Sequence, residues 1–303
     1  MNYFSLFLAL LLSCVSIKAL ALNIFACEPE WAALAQELTA PDTRIDTAIH
    51  AQQDPHHVQA RPSLISRVRQ ADLVICTGAD LEMAWLPVLL EQAGNRKLHE
   101  QQGLFYASKQ VTLINQPHSI DRALGDIHPD GNPHLHLDPL RLLQVAQALA
   151  ERLVLIDPEQ AELYRAKITS FSQRWQHAIT IWHKQAAPLK GMALIVHHDE
   201  WPYLLNWLGI QQVAELEPKP GLPPTPSHLA RLKNTVKETG AELIIYSPHN
   251  SSKASQWLAK NSTACTVQLP YTVGGQSAVS DLATLFSHTI EQLLVAREQC
   301  RNG

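Results

Sequence analysis

Histidine is the one residue type in excess, at 15 of 303 residues, and it gathers in short polar strings. One reads Gln53-Asp54-Pro55-His56-His57, another Asn132-Pro133-His134-Leu135-His136-Leu137-Asp138-Pro139, a third His197-His198-Asp199-Glu200. His118, His128 and His249 lie in further loops. A neutral imidazole is a good donor to a transition metal of zinc type, and three or four of them from separate loops can make a tetrahedral shell. A second chemistry is hydrolysis, in which the same rings hold a zinc-activated water and Asp199 or Glu200 serves as general base. No His-Glu-x-x-His is present, and the histidines are spread over several loops. The spacing His134-x-His136-x-Asp138 is that of some hydrolytic zinc sites, but Pro139 stands where such a site needs another histidine, so Asp138 reads as a helix cap. Taken one at a time, each tandem histidine also fits a solvated turn. His50, His99, His177, His183, His228 and His288 sit on or beside strand and helix patterns and read as surface or packing residues.

The elements that must position these strings alternate. Short apolar, β-branched runs at 22–26, 44–49, 72–76 and 110–114 are separated by helical patterns at 31–38, 62–69 and 83–93. A second series follows, with strands expected at 192–196, 212–217, 243–246 and 265–269 and helices at 201–208, 227–239, 253–261 and 281–297. This alternation is the signature of an α/β fold with parallel sheets and crossover helices, four strands to each half. Ligands of open parallel sheets bind outside the carboxyl ends of the strands, which is where the histidine strings fall.

Between the halves, Asp138-Pro139 opens one helical pattern and Asp157-Pro158 a second, each with a capping residue before a proline at the first helical position. From there to about residue 186 the apolar positions Ala161, Tyr164, Ile168, Phe171, Trp175, Ile179 and Trp182 recur at three and four with no break. The pattern predicts a helix of about 29 residues, or roughly 43 Å, fixing the separation of the halves more firmly than a loop would. The expected organisation is a signal peptide at 1–21, an N-terminal lobe at 22–156, a linking helix at 157–186 and a C-terminal lobe at 187–303.

With 24 basic against 28 acidic residues the formal charge is −4, and only 17% of residues are charged, so a nucleic-acid footprint is excluded. The apolar run at 6–12 followed by Ala19-Leu20-Ala21 is the pattern of a cleaved secretory signal, placing the mature chain in the periplasm from Leu22. Leu11-Leu12-Ser13-Cys14 imperfectly matches a lipoprotein box, which makes acylation of Cys14 the lesser alternative. Export favours disulfides for the other four cysteines, which allow three pairings. Cys265 and Cys300, both in the last forty residues, are the favoured pair. Cys27 and Cys76, each at the end of a strand pattern, are either a second disulfide or buried thiols.

Three strings stand in register around the long helix: DPHHVQARPS at 54–63, GNPHLHLDP at 131–139 and HDEWPYL at 198–204. Together they resemble the periplasmic metal-binding (solute-binding) proteins of ABC-type zinc and manganese importers, the ZnuA/TroA-like cluster A-I family, over essentially the whole mature chain. The resemblance implies two (β/α)4 lobes with parallel sheets joined by one long rigid helix, with a metal between them held by His56, His134 and His198. Three imidazoles imply zinc over manganese, because the manganese branch replaces a histidine with a carboxylate and harder cations prefer oxygen. Cys265 and Cys300 also resemble the zinc-importing branch. Many members place an acid in the loop after the last strand, but here the loop at 269–275 has none. Asp281 is the nearest carboxylate and the expected fourth ligand, with helix capping as its other role and water or His249 as substitutes. The family's His-rich loop corresponds to the segment 118–136, giving His118, His128 and His136 an expected auxiliary capture role.

The function so implied is that of a monomer, not an enzyme, that captures one Zn2+ and hands it to a membrane ABC permease. A manganese carrier or adhesin of the same fold and a secreted zinc hydrolase are the alternatives.

Overall fold

The computed structural model describes residues 22–117 and 128–302. The expected signal peptide, Cys14 and His118 lie outside the described residues. Strands β1 (Asn23–Ala26), β2 (Arg44–Thr47), β3 (Leu73–Cys76) and β4 (Leu104–Tyr106) form a parallel sheet in the order β2-β1-β3-β4. Strands β5 (Ala193–Val196), β6 (Gln211–Glu215), β7 (Leu243–Tyr246) and β8 (Cys265–Gln268) repeat that order as β6-β5-β7-β8. In both sheets the order reverses beside the first strand, which opens a crevice at the carboxyl ends of the central strands.

Side-chain alternation explains how each sheet is covered on both faces. Ile24 and Ala26 of β1 and Leu73 and Ile75 of β3 face the large inner core, while Phe25, Val74 and Cys76 face an outer cluster with Leu64, Val68, Trp85 and Leu89. In the second sheet Leu194, Val196, Leu243 and Ile245 face inward, and Ile195 and Ile244 pack outward on Leu232, Val236 and Leu258. The outer faces are covered by α2 (Pro62–Gln70) and α3 (Leu86–Ala93) in one lobe and α7 (Pro226–Thr239) and α8 (Ser252–Lys260) in the other. The inner core is continuous through both lobes and includes α1 (Pro29–Leu38), α4 (Pro139–Ile156), α6 (Pro202–Leu208) and α9 (Leu282–Asn302).

The linking helix is α5, Ala161–Gln185, of 25 residues. Pro158–Gln160 adds a 3-10 turn before it, so the regular α part is shorter than the sequence pattern implied, at roughly 38 Å. Its buried aromatics join both halves. Phe171 stacks on Trp175 at 5.2 Å, Trp182 stacks on Phe286 of α9 at 5.1 Å, and the Trp175 indole donates to the Pro139 carbonyl at the start of α4 at 2.8 Å. The Trp182–Phe286 and Trp175–Pro139 contacts hold the rod against α9 on one side and α4 on the other.

Two disulfides tie elements of each lobe. Cys27–Cys76 joins the ends of the adjacent strands β1 and β3, and Cys265–Cys300 joins β8 to α9.

One expected strand is corrected. Residues 110–114 do not enter the sheet; the fourth strand is Leu104–Tyr106, paired to β3 from Val74↔Leu104 to Cys76↔Tyr106. The apolar run Val111-Thr112-Leu113-Ile114 instead bonds to the loop that holds Asn132. Ile114 accepts from Asn132 N at 2.8 Å and donates to the Tyr203 hydroxyl at 3.2 Å, while Val111, Leu113 and Ile114 pack on the inner core.

Candidate metal centre

Each histidine string is held by a local device that its own residue types supply. After β2 the chain turns through Asp54, whose Oδ1 accepts from the His56 backbone N at 2.9 Å and from His56 Nδ1 at 2.8 Å. The buried Trp85 indole grips the same turn by donating to the Pro55 carbonyl at 2.9 Å. Burial opposes ionisation of Asp54, but the hydrogen bonds and charge of His56 outweigh it and hold the carboxyl below its ordinary range. The carboxylate therefore accepts from Nδ1 and leaves Nε2 of His56 as the free donor atom.

The second string is braced by its asparagine. Asn132 Oδ1 accepts from His134 N at 3.0 Å, and Asn132 Nδ2 donates to the Asp199 carbonyl at 2.8 Å. Tyr203 of α6 donates its hydroxyl to the Asn132 carbonyl at 2.7 Å. Gly131 is required here: at φ +119° an added Cβ would fall 2.8 Å from the Ile114 carbonyl oxygen and 2.9 Å from Leu113 Cβ. The string then closes on Asp138, whose side chain accepts from the backbone of Leu140 and Arg141 and caps α4 as expected.

The third string leaves β5 directly. His198 Nδ1 meets Glu217 Oε2 at 2.7 Å, and that oxygen also accepts from Gly221 N at 2.8 Å. Burial works against a charge on His198, but the hydrogen bond to Glu217 and the charges of Glu200, Glu217 and Asp199 prevail and lift it to about 9. His134 goes the other way, held well below the ordinary histidine range by burial and by the neighbouring imidazoles.

The three strings converge. One ligand atom from each of His56, His134 and His198 lies within 4.8 Å of the others, and the ring centroids are separated by 5.9, 5.7 and 6.0 Å. His134 Nε2 is buried and makes no hydrogen bond among the described residues. An imidazole nitrogen without a partner is costly to bury, and an electrophile bound at that atom removes the cost. A cleft of about 590 Å³ opens beside the centre, lined by His56, His198, Glu217, His249, Lys253 and Trp257 among others.

The remaining sequence expectations fall elsewhere. Asp281 does not join the gathered side chains. Its Oδ1 accepts from Thr284 N at 2.7 Å while its own backbone N donates to Thr284 Oγ1 at 2.9 Å, a reciprocal cap on α9. His249 faces Glu200, Nε2 to Oε1 at 2.5 Å, and Ser247 Oγ donates to the same carboxylate oxygen at 3.1 Å. The carboxylates offered for the hydrolase alternative thus have structural partners, Glu200 on His249 and Asp199 on Asn132 and Gln212. His136 is a buried pin: Nε2 donates to the Tyr271 carbonyl at 3.0 Å, and Nδ1 lies 3.3 Å from Glu30. His128 does approach the centre, 3.3 Å from His56 Nε2. Burial and then the charge of His56 lower it to about 4.

Sequence reasoning passed over Tyr271 and Glu217, which orient His134 and His198. The signal available was position: both follow carboxyl ends of strands, where the histidines were sought. The other gathering of donor side chains among the described residues, Cys27, Cys76 and Glu82, has both sulfurs in a disulfide and offers no thiolate.

Comparison with known proteins agrees with this architecture. The family model for the periplasmic zinc-uptake complex component A (ZnuA) matches residues 24–296. The high-affinity zinc uptake system protein ZnuA of Bacillus subtilis (strain 168) is 23% identical over 227 residues, 73% of this chain and 69% of its own length. The zinc-binding lipoprotein AdcA of Streptococcus pneumoniae is 20% identical over 229 residues, and there the chain spans only 45% of the relative's length. A crystal structure of ZnuA superposes with a TM-score of 0.77 at 20% identity, covering 91% of this chain and 99% of that one. An Mn-bound periplasmic metal-binding protein from candidatus liberibacter asiaticus gives 0.73 at 15% identity, covering 90% and 98%. These structural likenesses show the fold.

Proposed function

The chain belongs to the zinc-uptake complex component A family, and from that premise we propose that it captures one Zn2+ outside the cytoplasm and delivers it to a membrane ABC permease. His56, His134 and His198 are the ligands, each through Nε2. The observation that carries the reading is His134 Nε2, a buried donor atom with no hydrogen-bond partner, on a ring whose ligand atom lies within 4.8 Å of those of two other imidazoles. Nδ1 of His56 and His198 is held by Asp54 and Glu217, the carboxylate–histidine arrangement that fixes ring orientation and raises ligand basicity.

Zinc is favoured over manganese by donor type, since the three gathered side chains are all imidazoles, which suit Zn2+, whereas Mn2+ prefers oxygen ligands. Bonds of about 2.0–2.1 Å place tetrahedral nitrogens about 3.3–3.4 Å apart, so separations that now reach up to 4.8 Å shorten by up to about 1.5 Å around the ion. All three ligands come from one copy, so the site needs no second chain.

Competition titration with a chromophoric chelator tests the reading. One Zn2+ binds per chain, Mn2+ competes poorly, and His134→Ala abolishes high-affinity binding. Equal affinities for Zn2+ and Mn2+, or zinc binding undiminished in His134→Ala, would overturn it.

A further inference from the structure

His128 stands beside the three gathered rings in a way that capture from solution does not require. Its Nδ1 donates to the Ala79 carbonyl at 2.9 Å, and its Nε2 lies 3.3 Å from Nε2 of His56. Its ring centroid is 5.3 Å from that of His56 and 6.3 Å from that of His134, and it stands outside the group of three whose ligand atoms all lie within 4.8 Å, so it joins a common shell by moving inward. A carbonyl oxygen only accepts, so the proton of the neutral His128 ring is on Nδ1. His56 is in the same position, with Nδ1 against the Asp54 carboxylate at 2.8 Å. Both rings in their neutral form therefore present lone pairs to each other at Nε2, and the contact becomes favourable when a cation lies between them, either a proton on one Nε2 or a metal ion bound by both. The separation of 3.3 Å is also the edge of a tetrahedron of nitrogens about 2.0–2.1 Å from a zinc ion.

The anchor of His128 is itself built. Ala79 lies in a turn with three successive positive φ values, +77° at Gly78, 52° at Ala79 and 64° at Asp80. The buried Glu82 carboxylate holds that turn, accepting from Thr77 N at 2.7 Å and Gly78 N at 3.0 Å. A Cβ on Gly78 would sit 2.5 Å from Ser108 Oγ, so the turn cannot readily move toward β4. Two non-glycine residues in the left-handed region are strained, and here that strain turns a carbonyl toward a metal-facing imidazole.

Resting on the zinc-capture reading, we propose that His128 is the fourth ligand and that the ion is held by four imidazole nitrogens, His56, His128, His134 and His198, with no oxygen donor. This shell is closed, unlike a catalytic zinc site, which keeps a position open for water. It also gives the centre its discrimination: a fourth nitrogen in place of a carboxylate or water disfavours Mn2+ further. No carboxylate is needed from the loop after β8, and Asp281 is free to cap its helix.

The test uses the mature full chain loaded with Zn2+ or Co2+. X-ray absorption at the zinc edge shows four nitrogen neighbours with scattering from four imidazoles in the parent, and three imidazoles plus one oxygen in His128→Ala. The variant loses about tenfold or more in zinc affinity, and the visible Co2+ bands change in energy and intensity. His128→Asp restores four-coordination through oxygen and moves Zn2+/Mn2+ competition toward Mn2+. An unchanged shell and affinity within about twofold in His128→Ala, while His134→Ala loses binding, overturns the fourth-ligand proposal and leaves the capture reading intact. Zinc binding unaffected in both variants overturns both.

Discussion

The hydroxyl of Tyr271 lies 2.7 Å from Nδ1 of His134, and the backbone carbonyl of the same tyrosine accepts from His136 two residues further along. Tyr271 follows β8 in the C-terminal half, so one residue of the second lobe grips both histidines of the Asn132–Asp138 string. The adjoining Thr272 extends the grip, donating its hydroxyl to the buried Glu30 of α1 at 2.5 Å. Burial, then the charges of Glu30 and Glu200, push the Tyr271 phenol well above its ordinary range, so it stays neutral. When Nε2 of His134 ligates a metal, Nδ1 carries the proton and donates it to this phenol oxygen.

Tyr271→Phe removes that acceptor without changing ring packing. Metal affinity is expected to fall about 10–100-fold, the usual effect of losing a partner that orients a ligand. The metal-free fold loses about 1–3 kcal/mol, from the buried nitrogen left without a partner. Chelator competition and thermal unfolding of the metal-free protein measure the two effects separately.

Zinc affinity is expected to rise with pH over a window set by His198. Because His198 is lifted to about 9, the metal-free chain at neutral pH carries a proton on that ring, and ligation at Nε2 must expel it. His128, lowered to about 4, and His134, held well below the ordinary range, are already neutral there. The expected result is release of about one proton per zinc at pH 7–8, with affinity climbing about tenfold per pH unit until near pH 9. Calorimetry in buffers of different ionisation heat counts the proton. A profile that levels off by pH 7 would show the Glu217 pairing to be weaker than its geometry indicates. The sequence alone put the proton competition near 6.5, the value of an unperturbed imidazole.

Asp281→Ala separates a cap from a ligand. Zinc affinity should stay within about twofold, while stability falls by about 0.5–2 kcal/mol through loss of the reciprocal cap with Thr284. A loss of zinc affinity larger than the loss of stability can account for would return Asp281 to the metal.

Zinc captured at this site is expected to stabilise the native state alone. At free zinc one hundred times the dissociation constant the gain is about 2.7 kcal/mol, read as a rise in the unfolding midpoint that a chelator reverses. His134→Ala should show no such rise.

Much of the architecture was legible because it rests on local patterns. Alternating short apolar runs and amphipathic stretches gave two parallel four-stranded sheets, and the periodic aromatics of α5 marked the rod. The misplaced fourth strand had a physical cause. Leu104–Tyr106 is only three residues at a sheet edge, too short for a period, whereas Val111-Thr112-Leu113-Ile114 has strand composition but pairs with a loop.

His56, His134 and His198 stood out in the sequence because the devices that hold them are local: Asp54 two residues before His56, Asn132 two residues before His134, and a strand end for His198. Partners distant in the chain left no such mark. Ala79 meets His128 across 49 positions and Tyr271 meets His134 across 137. Residue type and short spacing therefore determined which rings could bind a metal, and, for His56 and His198, that they follow the carboxyl ends of strands. Only the packing of the two lobes on a common rod decided which of them share a centre, because a coordination shell is defined by distances of a few ångströms between atoms that the chain itself holds far apart.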